Sequence, residues 1–287
     1  DYAQIAIKTL LDNAAKVAKT ILLEYTITDP NKKLTYSKTK KIRLYPLTNK
    51  TEDEDYIVIK KPELWSPQTP NLYLISIRIY DEADKSMLDE VIESYGIRWY
   101  EFDSQNGFSL NGKPTKLIGT NRHQDYMGKG NALDDEMHIK DVELLKEMGG
   151  NFLRISHYPQ DPLVLETCNK LGILSSIEVP IISTISESDF FFDNCLQQVK
   201  EMLYQNYNNP SIIIWTYMNE VLLHPLYKDE PEKQEKYFMK VRQLAQEIDN
   251  QLRERDSARY TMIAYNDNFE MYDKTGMLNI PMILGWN

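Results

Sequence analysis

The chain has 287 residues, of which 42% are hydrophobic and 26% charged, with 11 glycines and 13 prolines. This composition is that of a globular protein and excludes long disordered or collagen-like segments. The formal charge of −10 argues against a nucleic-acid partner, because phosphate backbones are bound by concentrated lysine and arginine. Two cysteines are too few for a disulfide framework or a zinc finger. The most apolar run, residues 211–218, is too short for membrane insertion, which needs about 20 residues.

Residues 1–104 alternate apolar and polar side chains in short runs separated by turn-forming residues, a pattern typical of β-strands with one buried face. The predicted strands cover residues 3–7, 23–28, 56–59, 72–80 and 91–93. Residues 14–19 have helical propensity, but they lie between strands and are predicted to form a loop. Several short strands over roughly 100 residues indicate a β-sandwich, with a structural rather than a chemical role.

Residues 105–287 follow a different pattern, in which β-branched runs alternate with amphipathic helices. Such alternation predicts βα units and a parallel sheet. The predicted strands are residues 117–120, 152–155, 173–177, 212–215, 260–264 and 282–286. Six βα strands in succession suggest a TIM barrel, which has eight strands and usually takes about 250 residues. We therefore expect a barrel truncated after strand six, with an open α/β sheet as the alternative.

Polar and charged residues gather where the strands of this second part end, which is the catalytic end of a TIM barrel. Taken singly, each has an ordinary structural explanation, such as an ion pair within the sheet or a capped turn. Four of the six strand ends carry His, Arg or Glu, and this clustering on one rim predicts a catalytic pocket. The rim residues are His123, Arg154, His157, Glu178, Asn219, Glu220, Trp286 and Asn287.

Four segments resemble glycoside hydrolase family 2, which includes β-galactosidases and β-glucuronidases. Residues 154–159 (RISHYP) resemble the family's R-x-S-H-Y-P segment, and residues 208–220 (NNPSIIIWTYMNE) resemble N-H-P-S-[IV]-x-x-W-S-x-x-N-E. Residues 107–123 resemble the entry into its barrel, and residues 62–73 its immunoglobulin-like middle domain. The resemblance implies a multidomain β and α/β protein, with an immunoglobulin-like β-sandwich at 1–104 followed by a truncated (β/α)8 TIM barrel at 105–287.

The resemblance also implies retaining hydrolysis of a terminal β-linked sugar by two carboxyl groups. In this family pattern Glu220 is the acid/base and Asn219 hydrogen-bonds the sugar 2-hydroxyl. His123 and His157 line the sugar pocket, and Arg154 orients the nucleophile and keeps it ionised. The favoured substrate is a β-galactoside, with a β-glucuronidase or β-mannosidase-like member as the alternative. A non-catalytic carbohydrate-binding protein and a purely structural module are alternatives from other classes.

The family's nucleophile lies on strand seven in a segment like S-E-Y-G, and no such segment follows Glu220. We therefore expect this chain alone to be inactive or nearly so. Metal-dependent members place Glu and His shortly after strand three, where this chain has Ile182 and Thr184. These side chains cannot supply the oxygen ligands of a divalent ion, so we predict no catalytic magnesium and no other cofactor. The family resemblance further implies a carbohydrate partner, a possible homo-oligomer, and a location in the bacterial periplasm or cytoplasm.

Overall fold

The computed structural model describes residues 2–287, with only the backbone described at residues 48–50. By its internal contacts the chain divides into a first unit that ends at Thr115 and a second unit, Lys116–Asn287. The domain division between residues 104 and 105 stays a prediction.

The first unit is built from antiparallel strands. Strands β1 and β4 pair with each other, β3-β2-β5-β6 form a four-stranded sheet in that order, and β7-β8-β9 form a small third sheet. The strands are β1 Tyr2–Asn13, β2 Lys19–Thr28, β3 Leu34–Leu44, β4 Thr48–Lys60, β5 Tyr73–Asp81, β6 Met87–Tyr95, β7 Tyr100–Asp103, β8 Gly107–Leu110 and β9 Lys113–Pro114.

A single apolar core holds the β1–β4 pair and the four-stranded sheet of this unit together. From Ile21 to Ile27 every second residue of β2 is buried, because successive side chains of a strand point to opposite faces of the sheet. These residues pack with isoleucines of β1 and β4 from the other sheet, such as Ile5 and Ile57. The predicted β-sandwich is therefore confirmed, and residues 14–18 form the expected connection rather than a helix.

The second unit alternates strands and helices. Its six strands are all parallel and lie side by side in chain order from β10 to β15, as predicted. The elements are β10 Gly119–Arg122, α1 Asp135–Glu147, β11 Phe152–Ile155, α2 Pro162–Leu171, β12 Leu174–Glu178, α3 Asp189–Asn206, β13 Ile212–Asn219, α4 Pro231–Arg255, β14 Tyr260–Tyr265, α5 Phe269–Lys274 and β15 Ile283–Trp286.

Helix α2 illustrates how local sequence sets these elements. The Asp161 carboxylate caps the helix by accepting from the backbone N–H of Leu163 at 2.9 Å, and proline occupies the first helical position. Gly172 ends the helix in the left-handed conformation at φ 71°, which suits glycine because it has no Cβ. Cys168 lies on the buried face of the helix as a small core residue.

A contact between distant strands shows that the parallel sheet curls. Strands β11 and β15 are four positions apart, so a flat sheet with strands about 4.8 Å apart would separate them by about 19 Å. The Arg154 guanidinium on β11 nevertheless lies 2.7 Å from Oδ1 of Asn287, directly after β15. The carboxyl ends of the strands therefore converge around a common interior. In residues 2–287, none of the helices combines the length and apolar character that crossing a bilayer requires.

Candidate active site

The predicted site residues lie at the carboxyl ends of the curled strands, on the interior face. Arg154 of β11 stands beside Ser176 of β12, and Glu178 of β12 stands beside Thr216 of β13. The direct contact between Arg154 and Glu178 places their side chains on the same face of the sheet. The contact of Arg154 with Asn287 across the curled sheet shows that this face is the interior one.

Arg154 is the hub of the site. Its side chain is buried, and its planar guanidinium donates in three directions. Nε donates to Oε1 of Glu178 at 2.5 Å, Nη2 to Oδ1 of Asn219 at 2.8 Å, and Nη1 to Oδ1 of Asn287 at 2.7 Å. One arginine thus connects three strand ends.

Glu178 connects Arg154 to the two predicted histidines. Its second oxygen, Oε2, lies 2.7 Å from Nδ1 of His157. The His157 ring meets the His123 ring nearly edge-on, with centroids 4.9 Å apart. Glu178 is 1% exposed, so both carboxylate oxygens are used inside the protein. The strand-end pattern placed Glu178 on the rim, but nothing in the sequence indicated that one carboxylate would bridge Arg154 and His157.

Asn287 connects Arg154 to Glu220. Its Nδ2 donates to Oδ1 of Asn219 and to Oε1 of Glu220, both at 2.9 Å. The Glu220 backbone has φ 51°, and its N–H donates to the carbonyl oxygen of Ala264 at 2.8 Å. This turn away from the strand leaves the Glu220 side chain half-buried at the rim.

An irregularity in β13 directs Asn219 into the interior. The register of β13 against β14 shifts between Thr216 and Asn219. In a regular strand, residues three positions apart point to opposite faces, so Asn219 would face away from the side that Thr216 shares with Glu178. The bulge reverses this alternation, which is a common role of bulges beside active sites. It thereby brings the Asn219 amide to Arg154.

Tyr272 lies close to Glu220 from the direction of helix α5. Its hydroxyl accepts from the backbone N–H of Leu222 at 3.3 Å. Burial raises the pKa of Tyr272 to about 12, and the nearby Glu220 carboxylate contributes in the same direction. The phenol is therefore neutral at physiological pH.

The structure thus brings all five predicted site residues into one connected cluster: Glu220, Asn219, Arg154, His157 and His123. Glu220 is a half-buried carboxyl group of this cluster and lies at the rim. Glu178 is a poor nucleophile candidate because both its oxygens are bonded in the interior. Two imidazoles and two amides supply the hydrogen-bonding groups that sugar hydroxyls need.

A metal is not required to explain this geometry. Across residues 2–287, no group of three or more His, Cys, Asp or Glu side chains is arranged to hold an ion. The Ile182 side chain is partly exposed, and its backbone pairs with Asn219. That no catalytic magnesium binds stays a prediction from the identities of Ile182 and Thr184.

Comparison with known proteins identifies the chain's relatives. The family model for the TIM barrel domain of glycosyl hydrolases family 2 matches residues 103–283, and a second model described as glycosyl hydrolases family 2 matches residues 1–98. A β-glucuronidase of Bacteroides fragilis is 38% identical over 173 residues, which cover 58% of this chain and 25% of that protein. A β-galactosidase of Thermoanaerobacter pseudethanolicus is 36% identical over 179 residues, covering 61% and 24%.

Solved structures agree with this family. Bacteroides uniformis β-glucuronidase 2, covalently bound to cyclophellitol-6-carboxylate aziridine, superimposes with a TM-score of 0.95 at 40% identity. The match covers 100% of this chain and 34% of that one. The chain therefore spans about a quarter of the length of the curated relatives it matches, and about a third of this structural relative. The predicted TIM-barrel fold and the family resemblance are both confirmed.

Proposed function

Since the chain belongs to glycosyl hydrolase family 2, we propose that the protein carrying it is a retaining glycoside hydrolase in which Glu220 is the general acid/base. The observation that carries this proposal is the cluster at the strand ends. Glu220 stands half-buried at the rim, held through Asn287 to Asn219 and Arg154.

The chemistry requires two carboxyl groups with different tasks. Glu220 protonates the leaving glycosidic oxygen, and a second carboxylate about 5–5.5 Å away attacks the anomeric carbon. Water then hydrolyses the glycosyl-enzyme, with Glu220 now acting as the base. Glu178 does not fit the second task, because it is buried and bonded at both oxygens. We expect the nucleophile to come from outside these 287 residues.

The other residues of the cluster bind the sugar. Asn219 hydrogen-bonds the 2-hydroxyl, a contact that strengthens in the oxocarbenium-like transition state. His123 and His157 contact other hydroxyl groups of the ring. Arg154 holds Asn219 and Asn287 in place, and its role toward the nucleophile stays a prediction.

The sugar that best suits this chain is a β-glucuronide. Two β-glucuronidases, one matched by sequence and one by structure, are 38% and 40% identical to the chain. A β-galactoside is the second candidate, because a β-galactosidase matches at 36% identity. The motifs alone favour a β-galactoside, so the comparisons reverse the order of the two candidate substrates. The motifs contain no residue that would recognise the sugar's C6 group.

The experiment is a panel of 4-nitrophenyl β-glycosides offered to the full-length gene product. Release of nitrophenol from the glucuronide supports the first candidate, and release from the galactoside alone supports the second. Glu220→Gln is expected to abolish turnover, whereas Glu254→Gln, an exposed carboxyl at the end of α4, is the matched control. Sugar binding without turnover by the unmodified protein would refute a hydrolase and favour a carbohydrate-binding protein.

A further inference from the structure

Glu178 is a buried carboxylate that the proposed hydrolysis does not use. It is 1% exposed, and its two oxygens bond two different residues of the site, Arg154 and His157. We infer that Glu178 is a positioning residue, which sets the proton position on His157 and the orientation of the Arg154 fork. The consequence for catalysis rests on the proposed function, whereas the hydrogen-bond pattern does not.

The proton position on His157 follows from the chemistry of its partner. An ionised carboxylate has no proton to donate and only accepts hydrogen bonds. Because Oε2 of Glu178 lies 2.7 Å from Nδ1 of His157, Nδ1 must carry the hydrogen. The neutral ring then presents the lone pair of Nε2. The His157 side chain is 17% exposed, and Nε2 is the ring atom that can then accept from a ligand hydroxyl.

His138 shows the opposite arrangement in the same unit. Its Nδ1 lies 3.2 Å from Nη2 of Arg122, and a guanidinium only donates. Nδ1 of His138 therefore accepts, and the hydrogen is on Nε2. The two histidines should differ in tautomer because one faces a carboxylate and the other a guanidinium. This pair provides an internal reference for any measurement of His157.

Glu178 also determines how the Asn219 amide faces a ligand. It holds Nε of Arg154 and so directs Nη2 of the same guanidinium to Asn219. The atom of Asn219 that meets a guanidinium must be the oxygen, and Asn287 donates to that same oxygen. The NH2 group of Asn219 is then available to donate a hydrogen bond to a sugar hydroxyl. Glu178 thus makes Nε2 of His157 a hydrogen-bond acceptor for a ligand hydroxyl, and it makes the Asn219 NH2 group a hydrogen-bond donor to one.

The substitution that tests this role is Glu178→Gln, which keeps the shape of the side chain and removes one acceptor. Arg154 can only donate, so it retains the remaining oxygen, and the glutamine NH2 turns toward His157. Nδ1 of His157 must then accept, and the hydrogen moves to Nε2. The expected result is therefore an inverted tautomer rather than a general loss of structure.

The measurement is a long-range ¹H–¹⁵N correlation spectrum of the full-length protein, recorded above the ordinary imidazole pKa of about 6.5. His157→Gln and His138→Gln assign the two signals of interest. In the unmodified chain His157 should carry its hydrogen on Nδ1 and His138 on Nε2. This first result needs no variant, so it stands even if Glu178→Gln folds poorly. An Nε2 hydrogen on His157 in the unmodified chain would overturn the inference.

Asp141→Asn is the matched control, because Asp141 also pairs with a buried arginine, Arg122, at 2.8 Å. It should leave the His157 signals unchanged, whereas Glu178→Gln inverts them. In the full-length protein, Glu178→Gln should lower kcat/KM about 10-fold, because the His157 acceptor is lost and one hydrogen bond to the substrate contributes about a factor of ten. An unchanged tautomer or an unchanged kcat/KM in Glu178→Gln would overturn the positioning role. Absence of hydrolysis by the unmodified full-length protein would refute the proposed function alone, since the tautomer is measured without substrate.

Discussion

Removing the Arg154 guanidinium should destabilise the second unit by more than the loss of its three hydrogen bonds alone. In Arg154→Met, Glu178 stays buried at 1% exposure without its guanidinium partner. Breaking a buried ion pair by removing one partner costs about 3–5 kcal/mol, because an uncompensated charge remains in the interior. Glu178→Met should have a similar cost for the same reason, since it leaves the guanidinium uncompensated.

The double variant Arg154→Met/Glu178→Met distinguishes this mechanism from simple loss of contacts. It leaves no buried charge unpaired, and the remaining loss is a few hydrogen bonds to Asn219, Asn287 and His157 at about 1 kcal/mol each. We therefore expect the double variant to be destabilised by about 2–3 kcal/mol. Additive single costs would instead give about 6–10 kcal/mol.

The assay is urea unfolding monitored by hydrogen-exchange mass spectrometry. Peptides from β11 and β12 report the stability of the second unit separately. Lys170→Met is the control, because its pair with Glu166 is exposed and four residues apart on a helix. It should cost less than about 0.5 kcal/mol. A double variant as unstable as the sum of the two single variants would refute the buried-charge reasoning.

Three further predictions follow from other parts of the chain. Burial would raise the pKa of Asp256, but the Arg259 guanidinium at 2.7 Å, together with hydrogen bonds from the Trp215 indole and the Ala258 backbone N–H, outweighs burial and lowers that pKa. Asp256→Asn should therefore destabilise the protein above about pH 4, and in pH-dependent unfolding the difference from the unmodified chain should vanish as the pH falls through the lowered pKa. Burial raises the thiol pKa of Cys168 to about 12 and of Cys195 to about 11, so Ellman's reagent should label neither in the native protein and both in urea; rapid native labelling would contradict their burial. Gly119→Ala would place a Cβ 1.7 Å from the carbonyl oxygen of Phe152 on the adjacent strand, so thermal unfolding should show a large loss of stability, and an unchanged midpoint would contradict that close approach.

The strands and helices that bury one full face were predictable from their periodicity. Strand β3, Leu34–Leu44, was not predicted, because it forms one edge of its sheet and most of its side chains are exposed. For the same reason, the sequence pattern predicts only residues 91–93 of strand β6, Met87–Tyr95. An edge strand lacks a neighbour on one side, so its side chains carry a weak alternation of burial.

The site residues were predictable as a group, because parallel strands in succession bring their carboxyl ends to one rim. Their partners were not predictable. Arg154 and Asn287 are 133 residues apart and meet only because the sheet curls. The inward direction of Asn219 depends on a bulge that has no signal in the residue types around it. Curvature and register are properties of the whole sheet, whereas the motifs record only which residues are present.

The proposed acid/base role of Glu220 is tested most directly by varying the substrate's leaving group with the Glu220→Gln variant of the full-length protein. A general acid contributes about 10²–10⁴-fold when the leaving oxygen needs a proton, and much less when it departs as a stable anion. We expect Glu220→Gln to lose activity by that factor on an alkyl β-glucuronide and to retain most of its glycosylation rate on the 2,4-dinitrophenyl glucuronide, measured as the burst of released phenol. An equal loss on both substrates would contradict proton donation by Glu220.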